Sequence, residues 1–85
     1  MTDIEITAER TLTKERDRTA VNVSRAIDQL RAALAQFERD LAEPDTVRFP
    51  SAAPENAARL MTEIAAGLAA VGSLNTALAT ISALA

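Results

Sequence analysis

The chain contains no cysteine, histidine, tryptophan or tyrosine. Without cysteine and histidine it has no thiolate nucleophile, no imidazole base and none of the usual nitrogen and sulfur ligands of zinc. It also lacks the glycine-rich phosphate loop and the nucleophile-elbow motif of common enzymes. The helix spacing predicts that its carboxylates lie outside the apolar stripes, as is typical of a solvated helix surface. We therefore expect a protein that is not an enzyme, with no catalytic residue, metal site or cofactor.

Large side chains are scarce as well. Phe37 and Phe49 are the only aromatic residues among 85, and alanine is abundant. A chain this short buries only about 60% of its unfolded surface when it folds alone. Since no disulfide or metal site compensates, small helical proteins of this kind gain further core by association. The composition predicts a homodimer or a higher oligomer.

The first ten residues, MTDIEITAER, carry three carboxylates and neither a basic nor a long apolar segment. This start does not fit a secretory signal peptide, so we expect a cytoplasmic protein. A single lysine against eight arginines, with abundant alanine, is typical of a GC-rich genome. That bias suggests a bacterial or phage protein.

Prolines divide the chain into two helices. Pro44 and Pro50 lie in a connector at 44–53, where each removes a backbone donor and restricts the residue before it. The sequence predicts an all-α fold, an antiparallel helical hairpin with helices at about 13–43 and 54–84. Both helices belong to a single domain.

The segment before the first helix is harder to assign. Residues 1–12 are expected to form a flexible or strand-like leader, because "DIEIT" alternates like a short strand. A capping box formed by Thr2 and Glu5 is the alternative. A charged leader of this kind is also the place where another protein would bind.

Apolar residues recur in both helices at alternating steps of three and four. This spacing puts them on one face of each helix and is typical of bundle cores. We interpret them as the core and oligomer interface, with Phe49 covering the end of the hairpin. They are Val23, Ile27, Leu30, Leu34, Phe37 and Leu41 in the first helix, and Leu60, Ile64, Val71, Leu74, Leu78 and Ile81 in the second.

The opposite face of the second helix carries small, uncharged residues where a surface helix normally shows lysine and glutamate. Small side chains let helix backbones approach closely, so this face predicts a second interface. A solvated, alanine-rich surface is the alternative. The residues are Ala65, Ala69, Ser73, Thr76 and Thr80.

Two further residues of the second helix stand out. Gly67 lies on the apolar face and predicts a close contact with another helix, since glycine costs about 1 kcal/mol of helix stability relative to alanine. Asn75 lies at the edge of that face. A buried asparagine there fixes register and oligomer order, whereas one at the rim has no special role.

No charged residue follows Glu63, so 64–85 form a continuous uncharged stretch. Its length suffices for a membrane span. However, serine, threonine and asparagine dilute it, and it has no aromatic belt or basic anchor. It also keeps the three–four spacing, which a helix surrounded by lipid does not need. We therefore prefer contact with protein, with a tail-anchored membrane protein spanning at 64–85 as the alternative.

The basic residues between Glu9 and Arg18 alternate with acidic ones, and the net charge is −3. Phosphate binding favours clustered positive charge, so nucleic acid is an unfavoured partner. We expect a self-associating scaffold, adaptor or assembly protein that forms a four-helix or larger bundle. A secreted helical hairpin or a nucleic-acid-associated regulator is a second alternative.

Overall fold

The computed structural model describes residues 2–46 and 53–84, and every regular element in these ranges is a helix. Helix α1 spans Asp3–Leu41 and helix α2 spans Ala53–Leu84, with a short 3₁₀ turn at Pro44–Thr46. The two long helices pack against each other. The predicted all-α helical hairpin is confirmed.

Helix α1 begins at Asp3, ten residues before the predicted start. The Glu5 N–H donates to Thr2 Oγ1 at 3.2 Å, and the Thr2 N–H donates to Glu5 Oε2 at 3.4 Å. This reciprocal pair is a capping box, which satisfies backbone donors at the start of the helix. The expectation of a flexible or strand-like leader is therefore wrong for Asp3–Leu12, and the capping-box alternative is correct.

Helix α1 ends at Leu41, just before the predicted connector. The next two backbone N–H groups each donate three residues back, to the carbonyls of Arg39 and Asp40, at 3.2 Å. Pro44 then follows, and it disfavours helical geometry in the residue before it. Phe49, predicted to cover the end of the hairpin, lies outside the described residues.

Two contacts show how α1 and α2 are aligned. Val23 packs on Gly67, and Arg16, seven residues earlier, bonds to Asn75, eight residues later. The helices are therefore antiparallel. The residues that face the other helix recur in steps of three and four on both sides of Val23 in α1 and of Gly67 in α2. We call them the seam, and all of them are buried or half-buried. The seam consists of Leu12, Arg16, Thr19, Val23, Ala26, Leu30, Ala33, Phe37 and Asp40 in α1, and Ala53, Ala57, Leu60, Ile64, Gly67, Val71, Leu74, Leu78 and Ile81 in α2.

Within the hairpin, the predicted contact line of α1 needs a correction. Leu34 and Leu41 are 52% and 60% exposed, and the seam passes through Ala26 and Ala33. Small residues at those positions let the helices approach closely. The prediction had followed the larger side chains of the neighbouring column, which begins with Ile27. The other predicted residues lie on the seam: Val23, Leu30 and Phe37 in α1, and Leu60, Ile64, Val71, Leu74, Leu78 and Ile81 in α2.

The hairpin is a thin rod of 65 × 15 × 15 Å with a radius of gyration of 19.1 Å. A compact chain of this length would have a radius of about 12 Å. Its accessible surface is 6270 Å², whereas a globular monomer of 9.0 kDa exposes about 4,900 Å². One copy thus exposes roughly 1,400 Å² more than a compact protein of its mass.

Candidate interaction surfaces

Gly67 and Val23 mark a close approach of the two helices. A Cβ added to Gly67 would collide with Val23 Cγ2 and lie 3.7 Å from Val23 Cβ, so the space for a side chain is already filled. At Gly72, by contrast, an added Cβ would find no atom within 4 Å. The predicted close contact at Gly67 is therefore confirmed, and Gly72 is free of that constraint.

Arg16 is a charged residue on the seam, and it faces the uncharged part of α2. Its side chain is 34% exposed, and Nη1 donates to Asn75 Oδ1 at 3.3 Å. The Nε and Nη2 groups both donate to Asp17 Oδ1 at 3.1 Å. Asn75 therefore binds across the seam, but it is exposed, so it lies at the rim and is not the buried amide that fixes register.

Arg16→Leu is expected to stabilise the hairpin. Leucine would fill a seam position that lies level with Leu74, while the lost hydrogen bonds are partly exposed and so contribute little. We expect a gain of about 1 kcal/mol, which for a domain of this size raises the thermal midpoint by about 4–8 °C. Circular dichroism on heating measures it. Arg18→Leu, a change at an exposed surface arginine, is the control, and a lower midpoint in Arg16→Leu would show that the Asn75 contact dominates.

Two further ion pairs between described residues lie on the surface of single helices. Arg18 Nη2 donates to Glu15 Oε1 at 2.7 Å, and Arg59 Nε lies 3.9 Å from Glu63 Oε1. Exposed pairs of this kind contribute about 0–1 kcal/mol each. Together with the Arg16–Asp17 pair, they disperse positive charge, which does not favour phosphate binding.

The predicted small-residue face of α2 lies away from the seam, and all of its residues are exposed. The hydroxyls of Thr76 and Thr80 donate to backbone carbonyls one turn earlier, at 3.1 and 3.0 Å. Because their hydrogen bonds are satisfied within the helix, these threonines present methyl groups and no free donor. The face is thus a smooth, uncharged surface made of Ala65, Ala69, Ser73, Thr76 and Thr80.

Helix α2 is also long and apolar enough to cross a membrane. Its most apolar 18-residue window has a mean hydropathy of 1.6, and none of that window is buried in the hairpin. The same composition suits a helix that packs against other helices. Its length and apolarity therefore suit either a lipid or a protein environment.

One side of the rod is polar. The residues on this side directly precede a seam residue in both helices. Because α1 and α2 are antiparallel, these residues of the two helices lie on the same side of the rod. Gln36 of α1 and Asn56 of α2 line one open groove beside Phe37, which shows this directly. We call this side the polar flank, and its described residues are all exposed. Its polar residues are Asn22, Gln29, Gln36, Asn56 and Glu63, and the exposed Ala70, which directly precedes Val71, lies on the same side.

The opposite side carries large apolar residues that directly follow seam residues. Leu34, Leu41, Met61 and Leu68 are 52–61% exposed, and Ile27 is half-buried. We call these five residues the apolar flank. Four of the eight exposed large hydrophobic side chains in the described part of the chain lie here. One side of the hairpin is therefore markedly more apolar than the other.

The sequence analysis did not single out Met61 and Leu68, and it placed the α1 members of the apolar flank in one core and oligomer interface together with the seam residues. A signal was present, because Ile27, Leu34 and Leu41 are spaced by seven, and so are Met61 and Leu68. Such a column beside the seam indicates a helix that contacts more than one neighbour.

No protein-family model, curated protein or solved structure matches the chain. Among the described residues there is also no group of three or more acidic side chains placed to hold a metal ion. What distinguishes the molecule is its surfaces, namely the part of α2 after Glu63, which carries no charge, and the apolar flank.

Proposed function

We propose that the protein is a homo-oligomeric helical hairpin with a structural role, most simply a pair of hairpins that form a four-helix bundle. The observation that carries the proposal is the missing interior. Among the described residues only Val23, Ala26 and Ala57 are buried, and no large side chain is fully buried. Helices depend on a packed apolar face for most of their stability. A second copy supplies the packing that one hairpin lacks.

The exposed surface has the size that such an association needs. The excess of roughly 1,400 Å² over a compact monomer exceeds the about 800 Å² that each partner buries in a standard interface. Helix α2 carries no charge after Glu63, so neighbours can cover it without burying an unpaired charge. Both features suit the side-by-side packing of a helix bundle.

The small-residue face would extend such a bundle beyond four helices, since small side chains permit close backbone approach. The resulting assembly would act as a cytoplasmic scaffold or adaptor rather than as an enzyme. The charged N-terminal segment of α1, Asp3–Leu12, is the place where a further protein partner would bind.

Self-association is tested by varying the protein concentration. If folding and association are coupled, a tenfold increase in concentration stabilises a dimer by about 1.4 kcal/mol, which raises the thermal midpoint by about 3–6 °C. Sedimentation equilibrium should give a mass at least twice the 9.0 kDa of one chain. A midpoint independent of concentration, with the mass of a single chain, would contradict the proposal.

A tail-anchored membrane protein is the second candidate, because α2 has the length and apolarity of a span. In that case the expressed protein would stay in the membrane fraction after a high-salt wash and would need detergent for extraction. A fully helical protein purified in plain buffer would exclude it, and a chain recovered only in detergent would favour it over the bundle.

A further inference from the structure

We infer that the apolar flank is the surface on which a second copy of this chain packs, and that the polar flank faces solvent in the assembly. This inference rests on the proposed self-association and assigns it to one side of the rod. It also gives Leu34 and Leu41, which the hairpin leaves exposed, a place in the oligomer interface.

The apolar flank forms a continuous ridge. Counted from the contact of Val23 with Gly67, Leu68 lies level with Asn22, and Met61 lies level with Gln29. Met61 therefore falls between Ile27 and Leu34, which belong to the other helix. From the level of Asn22 to Leu41 the ridge is about 28 Å long at 1.5 Å per residue. Residues of both helices thus contribute to one apolar strip in the half of the rod nearest the connector.

The other half of the same side is different. Beyond Leu68 the residues that directly follow seam residues are small or polar, namely Thr13, Ala20, Asn75 and Ser82. Asn75 is occupied there by its bond to Arg16. The ridge is therefore a localised patch, which is typical of an interface centre with a more polar rim.

The charges beside the ridge favour a second copy as its partner. Arg31 and Glu38 lie one turn before and one turn after Leu34, both are exposed, and neither has an ion-pair partner among the described residues. A two-fold contact uses the same surface on both copies. If it lies near Leu34 with the two α1 helices antiparallel, Arg31 of one copy faces the partner subunit's Glu38, and Glu38 faces the partner subunit's Arg31.

The dimensions fit as well. One side of a rod 65 Å long and 15 Å wide offers on the order of 1,000 Å², which exceeds the about 800 Å² of a standard interface. An anionic lipid surface would favour basic residues beside the ridge. Here the positive charge of Arg31 and the negative charge of Glu38 cancel instead.

The test places the same charges on each flank. Leu34→Glu with Met61→Glu puts two carboxylates on the apolar flank, and Gln29→Glu with Ala70→Glu puts two at exposed positions on the polar side. Since Leu34 and Met61 are 52% and 61% exposed in the hairpin, their replacement removes little seam packing. Sedimentation should show a dissociation constant at least about 1,000-fold higher for the first pair. The second pair should remain assembled like the unmodified chain.

A second measurement does not depend on the charged variant remaining folded. The chain has no cysteine, so single cysteines can replace Leu34 or Gln29 and be tested for reaction with a maleimide. In the assembled protein Leu34→Cys should react at least about tenfold more slowly than Gln29→Cys, because a neighbouring chain covers the apolar flank. Equal rates would overturn the assignment.

Ala69→Glu separates this inference from the proposed function. If the chain assembles and only Ala69→Glu disrupts it, self-association is correct but uses the small-residue face, and the flank assignment fails. If the unmodified chain is a stable monomer, the proposed function fails with it. If Leu34→Cys on the apolar flank is protected from the maleimide only when another protein or lipid is added, the second copy is the wrong partner.

Discussion

Ala26→Asp is expected to leave the chain largely unfolded at 25 °C. Ala26 lies on the seam and is 9% exposed, and the alignment of the helices puts it level with Ile64. A carboxylate at this position would lose its hydration and find no cation on the facing part of α2. An uncompensated buried charge costs about 3–5 kcal/mol, which is comparable to the about 3–5 kcal/mol that the core of a very small domain supplies.

The matched control is Ala32→Asp, because Ala32 lies in the same helix and is exposed. Both changes replace the same residue and carry the same cost in helix propensity, about 0.7 kcal/mol at most. The helical circular dichroism signal in increasing urea compares the two variants. We expect the urea midpoint of Ala32→Asp to lie close to that of the unmodified protein. Similar midpoints for both variants would show that α1 does not pack on α2 through Ala26.

Gly67→Val is expected to destabilise the protein by about 2–3 kcal/mol, the usual cost of forcing extra atoms into a packed site. The first added atom would already collide with Val23 Cγ2. Valine is stiff at χ1, so neither side chain can turn aside easily. For a domain of this size the thermal midpoint should fall by about 8–24 °C.

Gly72→Ala is the opposite case in the same helix. No atom lies within 4 Å of the position that its Cβ would take, so the substitution gains helix propensity without a clash. We expect a stabilisation of about 0.5–1 kcal/mol. Because both changes add side-chain atoms to a helical glycine, opposite signs would locate the helix contact at Gly67. Stabilisation by both variants would show that the helices are farther apart.

Much of the architecture was predictable because its causes are local. Prolines interrupt a helix through the geometry of their own ring, so the connector could be placed from Pro44 and Pro50. The start of α1 was also readable in principle, since the capping box needs only Thr2 and Glu5. It stood only as the alternative because the alternation of Ile4 and Ile6 imitates a strand, and the local hydrogen bonds of the cap prevail over that pattern.

The contact line between the helices was only partly predictable. Two contact lines are possible through Val23, Leu30 and Phe37. One includes the column of Ile27 and Leu34, and the other includes the column of Ala26 and Ala33. Side-chain size favoured the first line, whereas close approach of the helix backbones favours the second. One-dimensional periodicity cannot separate them, because the two columns lie next to each other on the helix.

The sequence by itself determined two long helices, the boundary between them and the lack of charge in α2 after Glu63, because these depend on residues close to one another in the chain. Only the tertiary structure decided which side of each helix faces the other, and hence that Leu34 and Met61 share one flank while Gln36 and Asn56 share the opposite one. The physical reason is that a flank is built from two antiparallel helices at once. Its composition depends on their alignment, which the contact of Val23 with Gly67 defines and with which the exposed bond between Arg16 and Asn75 agrees.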